Sequence, residues 1–214
     1  MDSSQPSRPH GQKSAQKTAL RDRLVTIRNR RSLTEIGESA RALAEVLLAA
    51  PEVRRAATVA AYVAVGSEPG TGPLLAGLHA AGKRVILPVL LPDGDLEWAV
   101  HTGDADLRPA RRGLLEPAGP TLGPDAIATA DVVLVPGLAV SSAGARLGRG
   151  GGSYDRALSR VPVGTFTCVL LHHDDEVGVD VPVEPHDRSV AAAATPTRLV
   201  RFESGFEARP PHGG

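Results

Sequence analysis

A single cysteine, Cys168, leaves this 214-residue chain without the pair that an internal disulfide requires. It lies in the apolar run Val163–Leu171, where an inert core thiol is expected. No apolar stretch approaches the roughly 20 residues that cross a bilayer. The polar start, Met1–Gln16, has no signal-peptide core, so the cytoplasm is the expected compartment. Formal charge is zero, with 24 basic against 24 acidic residues, which removes any global pull toward nucleic acid or membrane. Lysine is scarce, at three residues against 21 arginines. No internal repeat is visible. What remains is one domain of modest size that binds small molecules, with a monomer expected.

Glycine is concentrated where chemistry is expected. The segment Arg146-Leu-Gly-Arg-Gly-Gly-Gly-Ser-Tyr-Asp-Arg156 packs four glycines, three arginines and one carboxylate into eleven residues. It follows the apolar run Asp131–Leu138 and leads into a short helical pattern with Ser153 at or near the N-cap. Gly148, Gly150, Gly151 and Gly152 let the backbone approach a ligand closely. A helix start behind them favours phosphate, and Arg146, Arg149 and Arg156 offer forked donors. Asp155, a carboxylate beside such a cradle, makes most sense as a magnesium ligand. With no lysine in the segment it is not a Walker A motif. It also fails the Gly-x-Gly-x-x-Gly pattern, because Ser153 takes the last place. A solvated glycine turn is the bland alternative.

Around this segment helices and strands alternate. Thr18–Arg30 puts Leu20, Leu24 and Ile27 on one helical face. Ser32-Leu-Thr-Glu35 is a capping box that opens a second helix ending before Pro51. Strands are expected at Thr58–Val65, Arg84–Leu90, Leu96–Val100, Asp131–Val135 and Thr165–Leu171. Shorter apolar runs follow at Val179–Val183, Val190–Ala194 and Arg198–Phe202. Helices are expected at Pro73–Ala81 and near Asp125–Ala128. Continuous apolar strands separated by helices imply an α/β fold: a mainly parallel sheet with helices on both faces, three layers deep, preceded by an amino-terminal helical pair. Residues 17–207 form the expected domain, between disordered tails at 1–16 and 208–214. Such sheets bind ligands at the carboxyl ends of their strands, where both Glu68 and the glycine segment fall.

The string Val135-Pro-Gly-Leu-Ala139, Gly144, Arg146-Leu-Gly-Arg-Gly150 and Tyr154-Asp155 resembles the 5-formyltetrahydrofolate cyclo-ligase (5,10-methenyltetrahydrofolate synthetase) family. Lys17-Thr-Ala-Leu-Arg21 with Arg28, Glu68-Pro-Gly-Thr71, Gly113-Leu-Leu-Glu-Pro117 and Val181-Pro-Val-Glu-Pro-His-Asp187 are similar to further family segments, in the same order. The resemblance runs from about Lys17 to Val200. It implies an enzyme in which ATP activates the formyl oxygen of 5-formyltetrahydrofolate as a phosphate ester. N10 then attacks, and 5,10-methenyltetrahydrofolate, ADP and phosphate result. On that reading Arg146 and Arg149 stabilise the transferred phosphoryl group. ATP meets Lys17, Arg21 and the run Arg146, Leu147, Gly148, Arg149, Gly150, Gly151, Gly152, Ser153 and Tyr154. Folate meets Glu68, Trp98 and the loop Arg149–Ser153. Asp155 and Asp187 hold Mg2+, and Tyr154 packs against a ring or contacts phosphate. The chain departs from the family at Ser153, where a tyrosine is common, at Gly70 in place of an aspartate, and at Val140-Ser141 in place of Phe-Asp.

Each role has a plainer alternative. Lys17 and Arg21 could sit on a solvated helix face, Glu68 could be a loop carboxylate, and Asp187 could cap a turn or pair with Arg188. Trp98 fits core or folate wall equally well. His172-His-Asp-Asp-Glu176 suggests a transition-metal site, but no third ligand is spaced as zinc requires, so a polar loop is expected. Two other functions stay open: an ATP-dependent ligase or kinase for another small molecule, and a non-catalytic paralogue that binds nucleotide or folate.

Overall fold

The computed structural model describes residues 10–202. Two long helices come first, α1 (His10–Arg28) and α2 (Leu33–Ala49), followed by the short α3 (Pro51–Arg55). Then come β1 (Thr58–Ala60), α4 (Gly72–Ala80), β2 (Arg84–Leu90) and β3 (Leu96–Val100). A hairpin of β4 (Leu107–Pro109) and β5 (Leu115–Pro117) leads through a 3-10 turn at Pro124–Thr129 into β6 (Val132–Pro136). A second small hairpin, β7 (Ala139–Val140) with β8 (Arg146–Leu147), precedes α5 (Ser153–Leu158). The strands β9 (Phe166–Leu170), β10 (Ala192–Ala194) and β11 (Leu199–Arg201) finish the described chain.

Seven strands form one sheet in the order β11-β10-β9-β6-β1-β2-β3. The five inner strands are parallel, and β3 and β11 close the edges antiparallel. The order of the parallel strands reverses between β1 and β6, and at that switch point the loops leave in opposite directions and open a crevice.

Strand residues alternate between two cores. Val59, Val85, Leu87, Val132 and Leu134 face α2, α3 and α4, where Leu43, Leu47, Val53 and Leu78 cover them. Ala60, Ile86, Val133, Val135 and Val169 face the opposite layer of Ile127, Ala157 and Leu158. The expected three-layer α/β arrangement is therefore present. Leu48 of α2 lies so close to Gly77 of α4 that a Cβ there would stand 2.4 Å from Leu48 Cδ1. The capping box also forms, with Ser32 Oγ accepting from the Glu35 amide and Glu35 from the Ser32 amide.

Several expectations need correction. Helix α1 begins at His10, so residues 10–16, expected in a tail, are helical. The rest of that tail and residues 208–214 lie outside the described residues. Leu20, Leu24 and Val25 pack on Leu138, Ala139, Leu147 and Val181, while Ile27 is 45% exposed. Arg28 takes the buried place instead, because a carboxylate waits there for it. The first strand pairs only through Ala60, and Tyr62–Val65 leave the ladder as cleft wall. Val179–Val183 forms no strand, since Pro182 has no N–H to donate to a ladder. Among the described residues no helix is long and apolar enough to cross a membrane.

Candidate active site

At the switch point, the loops after β1 and β6 enclose a cleft of about 210 Å³ with α5 and the β4–β5 hairpin. Its apolar walls come from Val63, Leu90, Leu96, Leu114 and Tyr154, and its polar positions include Glu68, Glu116, Arg112 and Arg149. Glycines 148, 150, 151 and 152 form one rim. Gly150 at φ +98° and Gly152 at φ +69° take conformations that side-chain-bearing residues avoid, so the rim depends on these two.

Gly152, in the left-handed conformation, is the residue that caps α5, and Ser153 is the first helical residue. Ser153 thus stands next to the cap, as expected, but its Oγ makes no capping bond and donates to Gly94 O at 2.5 Å, tying the loop to the β2–β3 turn. At six residues, α5 has only a small dipole to offer an anion.

Arg146 and Arg149 differ sharply. The Arg146 side chain is 3% exposed, donates to Asp155 Oδ1 at 3.0 Å and to Pro136 O at 3.1 Å, and lies 5.8 Å from the centre of the Tyr154 ring. Arg149 is 46% exposed, with Nε 3.4 Å from Glu68 Oε1 and a bond to Ser67 Oγ. Arg149 has the reach to meet a ligand, whereas Arg146 holds Asp155. Burial raises the pKa of Glu68, against the hydrogen bond from the Val65 amide and the charge of Arg149. Burial likewise keeps the Tyr154 phenol protonated, far above its usual range.

The amino-terminal helix closes the opposite side. Arg21 Nε donates to Gly148 O at 2.9 Å, so α1 touches the glycine rim directly. Lys17, 3% exposed, donates to Glu184 Oε2 at 2.8 Å and Asp187 Oδ2 at 2.5 Å. Burial pushes the Asp187 pKa up, but the bonds from Lys17 and the Glu184 amide outweigh it and leave it lowered. The Arg188 amide lies 3.4 Å from Asp155 Oδ1, which brings the carboxyl-terminal segment of Asp187 against Asp155.

These two carboxylates suit a magnesium ion. Asp155 Oδ2 and Asp187 Oδ1 accept no hydrogen bond among the described residues, because the bonds run to the other oxygen of each group. Each keeps one oxygen without a hydrogen bond for a cation that prefers few carboxylates plus phosphate and water, with His186 Nε2 standing 3.8 Å from Asp187 Oδ1. Glu184, His186 and Asp187 also converge, with one ligand atom from each within 4.8 Å of the others.

Five expected residues do not line the cleft: Lys17, Arg21 and Asp187 stand beside it on α1 and the carboxyl-terminal segment, whereas Trp98 and Leu147 turn into the core. Trp98 is fully buried between β-sheet and 3-10 turn, with Leu96, Ile127 and Val133, and forms no folate wall. The Leu147 side chain points into the core of Leu138, Ala139 and Val181, because β8 alternates and Arg146 takes the cleft side. Tyr62, Leu90 and Arg112 also line the cleft, and the sequence has no motif at them, since they come from the loop after β1, the end of β2 and the β4–β5 turn. Leu114 lies in the Gly113–Pro117 segment, which carries the resemblance without giving it a role. Glu116 sat inside a recognised segment without a role, and here it accepts from the Leu90 amide at 2.9 Å.

The family model of the 5-formyltetrahydrofolate cyclo-ligase family matches residues 13–196. A 5-formyltetrahydrofolate cyclo-ligase of Mycolicibacterium smegmatis is 44% identical over 146 residues, covering 66% of this chain and 74% of that protein. The one of Escherichia coli K12 is 34% identical over 177 residues, covering 79% and 96%. The NMR structure of Aquifex aeolicus 5,10-methenyltetrahydrofolate synthetase superposes with a TM-score of 0.75 at 26% identity, covering 92% of this chain and 97% of that one. With the switch-point cleft and its glycine rim in place, these matches over most of its length show that the chain belongs to the 5-formyltetrahydrofolate cyclo-ligase family.

Proposed function

We propose that this chain converts 5-formyltetrahydrofolate to 5,10-methenyltetrahydrofolate at the expense of ATP, in the cleft between β1 and β6. One observation carries the reading. A buried carboxylate, Glu68, and the glycine rim with Arg149 and Asp155 meet in a single cleft large enough for a flat ring. Glu68 accepts hydrogen bonds from the N–H edge of the pterin, while Leu90, Leu114 and Tyr154 flank its faces.

Lys17 and Arg21 hold the nucleotide from α1, with the backbone of Gly148–Ser153 beneath its phosphates. Asp155 and Asp187 would hold Mg2+, which supplies charge neutralisation to the triphosphate when bound. Arg149 leaves Glu68 to meet the γ-phosphoryl group, and Arg146 keeps Asp155 and Tyr154 in place. The γ-phosphoryl group passes to the formyl oxygen, and ADP leaves. The N10 lone pair then bonds to the formyl carbon, N10 gives up its proton, the carbon–oxygen bond breaks, and phosphate departs with that electron pair and, in the net balance, the proton. No covalent bond to the protein is needed, so the groups present act by alignment and charge stabilisation. The enzyme acts as a cytoplasmic monomer on this reading.

The test is ultraviolet absorbance of protein with 5-formyltetrahydrofolate and Mg-ATP, beside controls without ATP and with Asp187→Asn. An ATP-dependent rise of the methenyl chromophore, much reduced in the variant, supports the reading. ATP binding without chromophore would favour another acceptor or a non-catalytic binding protein.

A further inference from the structure

The His172–Glu176 segment belongs to no metal-ligand cluster among the described residues, yet its two end residues are deeply buried polar groups near the cleft. His172 is 1% exposed and Glu176 4%. Glu176 accepts from Arg28 Nε at 3.0 Å and Arg28 Nη2 at 2.8 Å, and from the His172 amide at 2.8 Å. Arg28, itself 1% exposed, donates further to Leu138 O at 3.3 Å, just after β6. The His172 ring extends the chain in the other direction, with Nε2 3.2 Å from Ser67 O. A carbonyl can only accept, so Nε2 carries the proton and Nδ1 is bare.

This chain of bonds joins four segments distant in sequence: α1, the loop after β6, the loop after β9 and the loop after β1. It ends one residue before Glu68. The Glu68 carboxylate in turn is set by its own loop, accepting from the Val65 amide at 3.0 Å. Ser67 also receives Arg149 on its hydroxyl, so both partners of the Glu68–Arg149 contact depend on where Ser67 stands.

We propose that Glu176 and His172 are positioning residues that set the Glu68 carboxylate for the folate, acting through the carbonyl of Ser67. The proposal rests on the assignment of Glu68 to the folate side. A buried pair at the sheet's end could simply hold the fold together. The arrangement does more than that, because its last bond goes to a loop carbonyl beside the substrate carboxylate and not to a core element. A carboxylate displaced by an ångström at a reacting centre costs activity far from where the change was made. Burial, with the charges of Arg28 and Arg31 adding to it, keeps the ring neutral and hence a fixed donor in ordinary buffers.

The experiment compares His172→Phe, which loses the donor, with His172→Gln, which places an amide N–H near the same point. KM for 5-formyltetrahydrofolate is expected to rise about tenfold in His172→Phe, with KM for ATP within about twofold, and Gln is expected to restore most of the loss. Amide exchange of residues 65–68 provides a second readout free of turnover. Protection of the Val65 amide is expected to fall in His172→Phe and in Glu176→Gln relative to the β6 amides. Equal changes in both KM values, unchanged protection at Val65, or no recovery in His172→Gln would each overturn the proposal. If His172→Phe does not fold, Glu176→Gln and His172→Gln decide it by the same exchange measurement. Glu68→Gln separates the two levels. An unchanged folate KM in that variant sinks the assignment of Glu68, whereas a raised one with normal His172→Phe sinks only the positioning role.

Discussion

Replacing Arg146 by methionine tests whether this arginine serves the fold of the site or only its ligand. Arg146 Nη2 lies 3.0 Å from Asp155 Oδ1, with side-chain exposures of 3% and 19%. At an effective dielectric of about 20, that separation gives a Coulomb attraction of roughly 5.5 kcal/mol before solvation is counted. Desolvation of the buried guanidinium and the partial hydration of Asp155 offset much of it. A loss of about 2–4 kcal/mol is therefore expected for Arg146→Met, which also leaves Pro136 O without its side-chain donor. For a chain of this size the melting temperature should fall by roughly 5–12 °C. Urea denaturation of Arg146→Met, Asp155→Asn and the double variant closes a thermodynamic cycle, and a coupling of about 1–3 kcal/mol is expected. If the two changes add within about 0.5 kcal/mol, the pair contributes nothing specific and the division of labour between Arg146 and Arg149 is wrong.

Other consequences follow from single residues. Burial lowers His172 from 6.5 to about 4, so the unfolded chain takes up that proton first as pH falls. Stability should then drop between about pH 6.5 and 4, by up to about 3 kcal/mol, and His172→Gln should flatten this slope in a pH series of melts. Lys17→Met removes the cation shared by Glu184 and Asp187. It should raise KM for ATP about tenfold with a smaller effect on folate, read from initial rates. Gly144 has φ +80°, and a Cβ there would stand 2.4 Å from Val190 O, so Gly144→Ala should cost about 2–3 kcal/mol in denaturation. Cys168 is fully buried and its thiol pKa is raised by burial, so it should resist thiol reagents until the protein unfolds.

Much of the fold was legible because its causes are local. The capping box at Ser32 and Glu35, the continuous apolar run of β6 and the glycine cluster all act within a few residues of themselves. The structure has a capped helix start, a buried strand and a loop with positive φ at Gly150 and Gly152 at these three places. Ile27 was misplaced for a different reason. An apolar residue at helical spacing predicts the buried face only until a buried charge competes for it, and Glu176 supplies that competition from 148 residues away. Trp98 stays open between core and folate wall in the sequence, since period-two alternation in β3 does not say which face is core, and the fold puts it in the core.

Residue identities and short spacings thus determined the α/β class, the glycine loop before α5 and the set of groups available to it. Only the tertiary structure decided which of those groups are engaged and which remain available. It bound Arg146 to Asp155, left Arg149 exposed, set Lys17 between two carboxylates 167 and 170 residues away, and sent Leu147 and Trp98 into the core. The reason is physical: periodicity and capping are energies of neighbours along the chain, whereas ion pairing and burial depend on distances that exist only once the sheet has brought its loops together.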